Sequence, residues 1–189
     1  MNGKHTKVIN IVGGPGVGKT TIAALLFSKI KELGYDVENV SEFAKELTWE
    51  GRKEAFNDRL YMHAEQNHRL MQMNGKLNYI ITDSPLFLTA IYNDYYLKDL
   101  FFSSYNKMIN NVVKETFNYY DNYVYLLERN TKYHRVGRRE TKKAALDIDA
   151  KIKKYLKENN IKYKTISISN KDNGINLILN DLGIKAIKK

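Results

Sequence analysis

The chain has 189 residues, 43% hydrophobic and 28% charged, a balance that suits one globular domain with a substantial core and excludes intrinsic disorder. It contains no cysteine, which excludes disulfide frameworks and thiolate metal sites. The formal net charge is +10, carried by 24 lysines spread along the chain and seven arginines, four of which fall between residues 129 and 139. Scattered lysines read as a solvated surface, the alternative being a nucleic-acid footprint if they gather on one face. The arginine cluster is more informative, because guanidinium groups suit bidentate phosphate contact. The opening residues lack an apolar stretch and a small-residue cleavage site, and no apolar run approaches the ~20 residues of a membrane span. The expectation is a cytoplasmic protein with no membrane partner, folded as a single domain over residues 1–189.

In chain order, Lys7 to Val12 reads as a short apolar strand that enters a glycine-rich turn and then a helix from about Thr20 to Leu33, with Gly34 as its stop. Val37 to Val40 reads as a second strand. Ser41 is the expected cap of a helix bearing Phe43, Ala44 and Leu47, and Asn57 the expected cap of a helix over 58–73. Tyr79 to Thr82 is a buried strand ending at Asp83. Two helices, about 85–96 and 101–117, precede a strand at 123–127. A polar loop carrying Arg135, Arg138 and Arg139 follows. A charged helix over 141–158, a strand over 162–168 and a last helix around 175–182 close the chain. Strands alternating with helices predict an α/β fold: a five-stranded parallel sheet covered on both faces, with ligands beyond the carboxyl ends of the strands.

Gly13-Gly14-Pro15-Gly16-Val17-Gly18-Lys19-Thr20 satisfies G-x-x-x-x-G-K-[ST] at every fixed position, between a strand and a helix. Glycines let backbone N–H groups curl around phosphate oxygens, and the helix N-terminus adds partial positive charge. Residues Gly14, Pro15, Gly16, Val17, Gly18, Lys19, Thr20 and Thr21 are therefore expected to hold ATP, with Lys19 on the β- and γ-phosphates and the Thr20 hydroxyl on Mg²⁺. GTPase signatures are absent: Asn170-Lys171-Asp172 puts the guanine-reading carboxylate one residue early, and Ser84-Pro85-Leu86 after Asp83 lacks the switch glycine. A motor-type ATPase would need an acidic pair and a helical subdomain, for which the chain is short.

GGPGVGKTT, VSEFAKELTWEGR after the second strand, IITDSPL after the third, and the late GRRET resemble, in that order, the nucleoside- and nucleotide-kinase branch of P-loop proteins. In finer detail the chain is similar to phage-borne P-loop kinases known as ATP-binding proteins, over roughly residues 7 to 168. The resemblance implies sheet order 2-3-1-4-5 and an arginine-bearing lid at about 129–141. The deoxynucleoside kinases carry Glu-Pro and Glu-Arg-Ser where this chain has Glu42-Phe43 and Asp83-Ser84. The reaction type is thus implied, and the acceptor is not.

Within that frame, Glu42, just past the second strand, is the expected general base, against a competing reading as a first-turn glutamate favoured by the helix dipole. Glu46, one turn on, is the reserve. Asp83 is expected to complete the Mg²⁺ shell begun by Thr20, or to cap the next helix, with Ser84 sharing the cap or touching a phosphate. Arg135, Arg138 and Arg139 would close over the transferring phosphate, with Arg129 a weaker candidate. Gln66 and Arg69, three apart on one helix face, are expected to read the acceptor, unless that face is simply solvated. His63 and His68 point apart and make no metal pair. The fourteen tyrosines and Trp49 offer either packing or a stacking platform. The expected function is transfer of the γ-phosphate of ATP to a nucleoside, nucleotide or similar small acceptor. The alternatives are a kinase acting on a hydroxymethylated pyrimidine within phage DNA, and a nucleotide-dependent switch with ATPase activity only.

Overall fold

A computed structural model of the chain describes residues 5–97, 103–129, 141–167 and 169–187. The expected arginine lid, with Arg135, Arg138 and Arg139, lies outside the described residues.

Five parallel strands form one sheet in the order β2-β3-β1-β4-β5. They are β1 (Lys7–Val12), β2 (Val37–Val40), β3 (Tyr79–Thr82), β4 (Asp121–Glu128) and β5 (Lys164–Ser167). The helices are α1 (Lys19–Glu32), α2 (Phe43–Trp49), α3 (Arg59–Met73), α4 (Leu88–Tyr96), α5 (Ser103–Asn118), α6 (Lys142–Glu158) and α7 (Lys171–Asp181), and a 3-10 turn spans Glu54–Asn57. The order is the one implied by the kinase resemblance. Among the described residues no helix is long and apolar enough to cross a membrane.

Alternate residues of the central strands face two separate cores, which is why these strands read as continuous apolar runs. Val8 and Val12 of β1 join Ile80, Val124 and Leu126 under α3, α4, α5 and α6. Ile9 and Ile11 join Ile81, Tyr125, Leu127 and Ile166 under α1 and α7. Each strand is short, yet β1 is hydrogen-bonded on both sides, to β3 and β4. Its carboxyl end therefore opens at the point where the sheet's winding reverses, the place open α/β sheets reserve for ligands.

Several element ends differ from the sequence reading, each for a tertiary reason. β4 begins two residues earlier than expected, because Lys7 and Val8 of β1 pair with Asp121 and Asn122. α2 begins after Glu42 rather than being capped by Ser41: the N–H of Phe43 is taken by the side chain of Gln66, 3.0 Å away on α3. At α3 the cap is Asp58, whose carboxylate accepts from Tyr61 N at 2.9 Å, and not Asn57. α4 starts at Leu88, since Pro85 to Phe87 are taken up in a turn closed by Leu88 N to Pro85 O at 2.9 Å.

His63 is a structural residue, 3% exposed between three helices. Its Nε2 lies 2.8 Å from Thr116 Oγ1, which donates onward to Val112 O, and its Nδ1 lies 3.3 Å from Thr89 Oγ1. The Thr116 hydroxyl is thus an acceptor for Nε2–H, leaving Nδ1 to accept from Thr89. Burial lowers the imidazole from 6.5 to about 4. Between those values the unfolded chain binds a proton that the folded chain does not, so stability falls as pH drops through this window, by up to ~1.4 kcal/mol per pH unit. Urea unfolding of the wild type and of His63→Gln from pH 7 to 4 is expected to show a shallower pH slope in the variant. Identical slopes would contradict this assignment.

Candidate active site

The loop between β1 and α1 turns through left-handed backbone at Gly16 (φ 81°) and Gly18 (φ 104°), where a Cβ would be strained. Gly18 is the N-cap of α1, which has no side-chain cap and no acidic residue in its first turn. The first amides of α1 are thus left to serve an anion. Lys19, 9% exposed, folds back so that Nζ donates to Gly14 O at 3.3 Å.

Asp83 follows β3, whose neighbour is β1, and this adjacency brings its carboxylate onto the loop. Thr20 Oγ1 donates to Asp83 Oδ2 at 2.6 Å. Asp83 is 4% exposed, and its Oδ1 is buried with no hydrogen-bond partner. The capping role is not seen, as α4 starts only at Leu88 with Phe87 at its cap position.

A second grip on the loop comes from residues that sequence reasoning missed or misplaced. Asp149 on α6 accepts from Gly14 N–H at 2.6 Å through Oδ1 and from Arg129 Nε at 2.6 Å through Oδ2. Arg129 also donates from Nη2 to Pro15 O at 2.8 Å. A Cβ on Gly14 would lie 2.5 Å from Asp149 Oδ1 and 2.7 Å from Ala145 O, so glycine is required there for close approach. Two of the expected nucleotide-binding residues, Gly14 and Val17, are not among those that line the cavity. The Gly14 N–H is spent on Asp149, and the Val17 N–H turns to Gly14 O at 3.4 Å while its side chain is fully buried in the core. Arg129 clasps the loop from behind instead of lining the cavity in front of it. The one signal for Asp149 was an acidic residue four after Ala145, beside the helix's inner stripe of Ala145, Ile148 and Ile152.

On the acceptor side the outcome is mixed. Gln66 is 5% exposed, and its amide is used up locally. Oε1 accepts from Phe43 N, and Nε2 donates to Ser41 O at 3.3 Å and Thr82 Oγ1 at 3.5 Å. It fixes the turn that carries Glu42 and also lines the cavity. Arg69 makes two 2.6 Å bonds to Glu46 and lies over the Phe43 ring at 4.9 Å. Neither Arg69 nor Glu46 lines the cavity. Hydrogen bonding to Arg69 holds the Glu46 carboxyl below its usual range, which suits a strut and not a base. Glu42 does line the cavity, at the mouth of α2 and without a side-chain capping bond.

A single cavity of about 360 Å³ joins these parts. One end is the loop, from Pro15 through Thr21, with Ser84 and Pro85 beside it. The rest is lined from α2, α3 and α4 and the turn before α3, with Trp49, Phe56, Arg59, Tyr92 and Tyr96 among the lining residues. Arg59, 4% exposed, was not singled out by the sequence.

Residues 8–172 match the model of a family of AAA domains. The chain belongs to this AAA-domain family. The matched span of the AAA domain includes every residue that lines the cavity. No curated protein matches the chain. Among solved structures, NadR in complex with NR is similar with a TM-score of 0.70 at 17% identity, covering 97% of this AAA-domain chain and 54% of the NadR chain. The chain therefore spans about half the length of NadR. Deoxyadenosine kinase from M. mycoides with bound dATP has a TM-score of 0.60 at 23% identity, covering 93% of this chain and 98% of its own. Thymidylate kinase from Ehrlichia chaffeensis has a TM-score of 0.63 at 15% identity, covering 94% and 98%. The AAA domain shares its fold with these proteins.

The clasp makes a stability prediction. Asp149 and Arg129 side chains are 20% and 12% exposed, so Asp149→Ala leaves a largely buried guanidinium without its counter-ion. The expected cost is roughly 3 kcal/mol, or a Tm lower by about 6–12 °C in thermal melts. A change under about 2 °C would show that the pair does not hold the loop.

Proposed function

We propose that this AAA-domain protein is a kinase that moves the γ-phosphate of ATP to a nucleoside, a nucleotide or a similar small acceptor. The observation that carries this reading is the continuity of the cavity. The phosphate loop opens into a space that runs on past Glu42 to an aromatic compartment between α2, α3 and α4. A nucleotide switch needs no such second compartment, and a kinase does.

In this mechanism the amides at the start of α1 and the Lys19 ammonium receive the β- and γ-phosphates. The Glu42 carboxylate takes the proton of the acceptor hydroxyl as its oxygen attacks the γ-phosphorus. The bond from that phosphorus to the β–γ bridging oxygen breaks in line, and ADP leaves. The residues present fit a magnesium ion, because Thr20 and Asp83 touch and Asp83 Oδ1 is a buried acceptor with nothing bonded to it. Mg²⁺ asks for one or two protein ligands and takes the rest from phosphate and water, and among the described residues no three His, Cys, Asp or Glu groups converge to hold a metal. When bound, it would neutralise charge on the phosphates. Gln66 supports the step from behind by fixing the turn on which Glu42 stands.

The test is an acceptor screen with γ-labelled ATP against nucleosides, nucleotides and DNA. Label is expected in a small acceptor. Label found only in inorganic phosphate would replace this reading with an ATP-hydrolysing switch. Label in DNA, with binding that weakens steeply between roughly 50 and 200 mM salt, would move the acceptor into nucleic acid, a reading that the +10 charge permits. Variants separate the roles. Lys19→Ala is expected to abolish transfer while unfolding stays cooperative. Glu42→Gln is expected to keep ATP affinity and lose about 10²–10⁴ in rate. Asp83→Asn is expected to raise the Mg²⁺ requirement. Equal, modest KM changes in the last two with intact turnover would refute both roles.

A further inference from the structure

The lysines of the chain are not laid evenly over the fold. Eight of the 24 lie between residues 142 and 164, on α6 and the stretch that leads into β5, against three acidic residues there, Asp147, Asp149 and Glu158. The inward side of α6 is apolar, with Ala145, Ile148, Ile152 and Leu156 all buried. At roughly 3.6 residues per turn, Lys142, Lys143, Lys153, Lys154 and Lys157 fall within about 120° on the opposite side, and all five are exposed. Leu146 and Ala150 share that arc, while Asp147 and Glu158 stand at one edge of it. Lys154 reaches Glu158 at 3.7 Å, whereas the other four enter no ion pair among the described residues.

None of the five lines the cavity, so this face is separate from the phosphate loop. From Lys142 to Lys157 the stripe runs about 22 Å along the helix, at about 1.5 Å per residue. A nucleic-acid duplex presents one negative charge per roughly 1.7 Å of its axis, so ammonium groups along that length can meet several phosphates at once. Lysine is a point charge on a flexible stem, which suits a phosphate backbone without asking anything of the bases. Other occupants are served poorly. Protein interfaces are depleted in lysine and draw their energy from aromatic and arginine anchors, of which the arc has none. A helix lying in a membrane surface needs a free apolar face, and that of α6 is already spent on the core.

We infer that the outer face of α6 is a nucleic-acid-binding surface, which grips the phosphodiester backbone without reading its sequence. The surface goes beyond the kinase reading and does not depend on it, since the backbone is held outside the cavity. It keeps the protein beside nucleic acid whatever acceptor the cavity takes.

The full-length protein is first saturated with a non-hydrolysable ATP analogue, so that the phosphate loop is filled. It is then titrated into a fluorescein-labelled duplex of mixed sequence, and anisotropy is followed between roughly 50 and 200 mM salt. With one phosphate met by each of the four unpaired lysines, the dissociation constant is expected to rise about 150-fold over that range. Combining Lys143→Gln, Lys153→Gln and Lys157→Gln is expected to lower the slope of log K against log salt by about 2.7. Cooperative melting and ATP-analogue affinity are expected to persist in that variant. Lys76→Gln, Lys107→Gln and Lys114→Gln combined remove the same charge from exposed positions elsewhere, and are expected to leave the slope near that of the wild type. Absence of salt-dependent duplex binding would overturn the surface. Equal loss of slope in the two triple variants would overturn it too, since bulk charge alone would then be at work. Tighter binding to phosphatidylserine vesicles than to the duplex, lost in the α6 variant, would overturn it in favour of a membrane. Duplex binding that fails only in the α6 variant, with no phosphoryl transfer to any acceptor, would refute the kinase reading and leave the surface standing.

Discussion

The contact between the Thr20 hydroxyl and the Asp83 carboxylate, 2.6 Å long, is what the rest of the site is built around. It exists because β3 lies directly beside β1, so the residues that leave the two strands arrive at one point. One oxygen of Asp83 is satisfied by Thr20, and the other is buried without a partner. An uncompensated acceptor in a closed setting is expensive, and proteins retain one where a ligand completes it. Everything else serves either to hold the phosphate loop against this carboxylate or to shape the space in front of it.

The holding is done by polar side chains that bond to the backbone and to one another. Asp149 and Arg129 seize the loop by a backbone N–H at Gly14 and a backbone carbonyl at Pro15, from α6 and the end of β4. Gln66 seizes the β2–α2 turn by Phe43 N and Ser41 O, and Arg69 with Glu46 ties α2 to α3. Arg69, expected in the sequence to read the acceptor, is thus engaged with Glu46, while Gln66 braces the turn and lines the cavity. What they buttress is Glu42. A carboxylate that lines the same cavity as the phosphate loop suits the phosphoryl transfer proposed above, since that step needs positioning and charge more than covalent chemistry.

How much of this was legible in the sequence follows from where each signal is stored. The phosphate loop is contiguous, so Gly16, Gly18, Lys19 and Thr20 could be placed at one end of the cavity from one octapeptide. Glu42 and Asp83 could be placed because strand ends are marked by short apolar runs and a parallel sheet sends its ligands to those ends. Sheet order came with the kinase resemblance, which periodicity cannot supply. The clasp could not be read, as Gly14 and Asp149 are 135 positions apart, and helical periodicity tells which face of α6 is inward but not what it meets. The partners of Gln66 and Arg69 were hidden for the same reason: Phe43 N and Glu46 lie 23 positions away on α2. Arg59 gave no signal because its meaning lies in its burial beside Tyr96 and Met62.

The central claim is that the phosphate loop and the aromatic compartment are two halves of one cavity, so that donor and acceptor sit there together. A compound with adenosine and a second nucleoside joined by five phosphates tests it most directly, by calorimetric titration against ATP and against the nucleoside alone. If both ends bind at once, linking them makes the second contact intramolecular, and the account predicts affinity at least about 100-fold tighter than that of ATP. An affinity no better than that of ATP would mean that the two ends cannot be filled together, and would contradict the account.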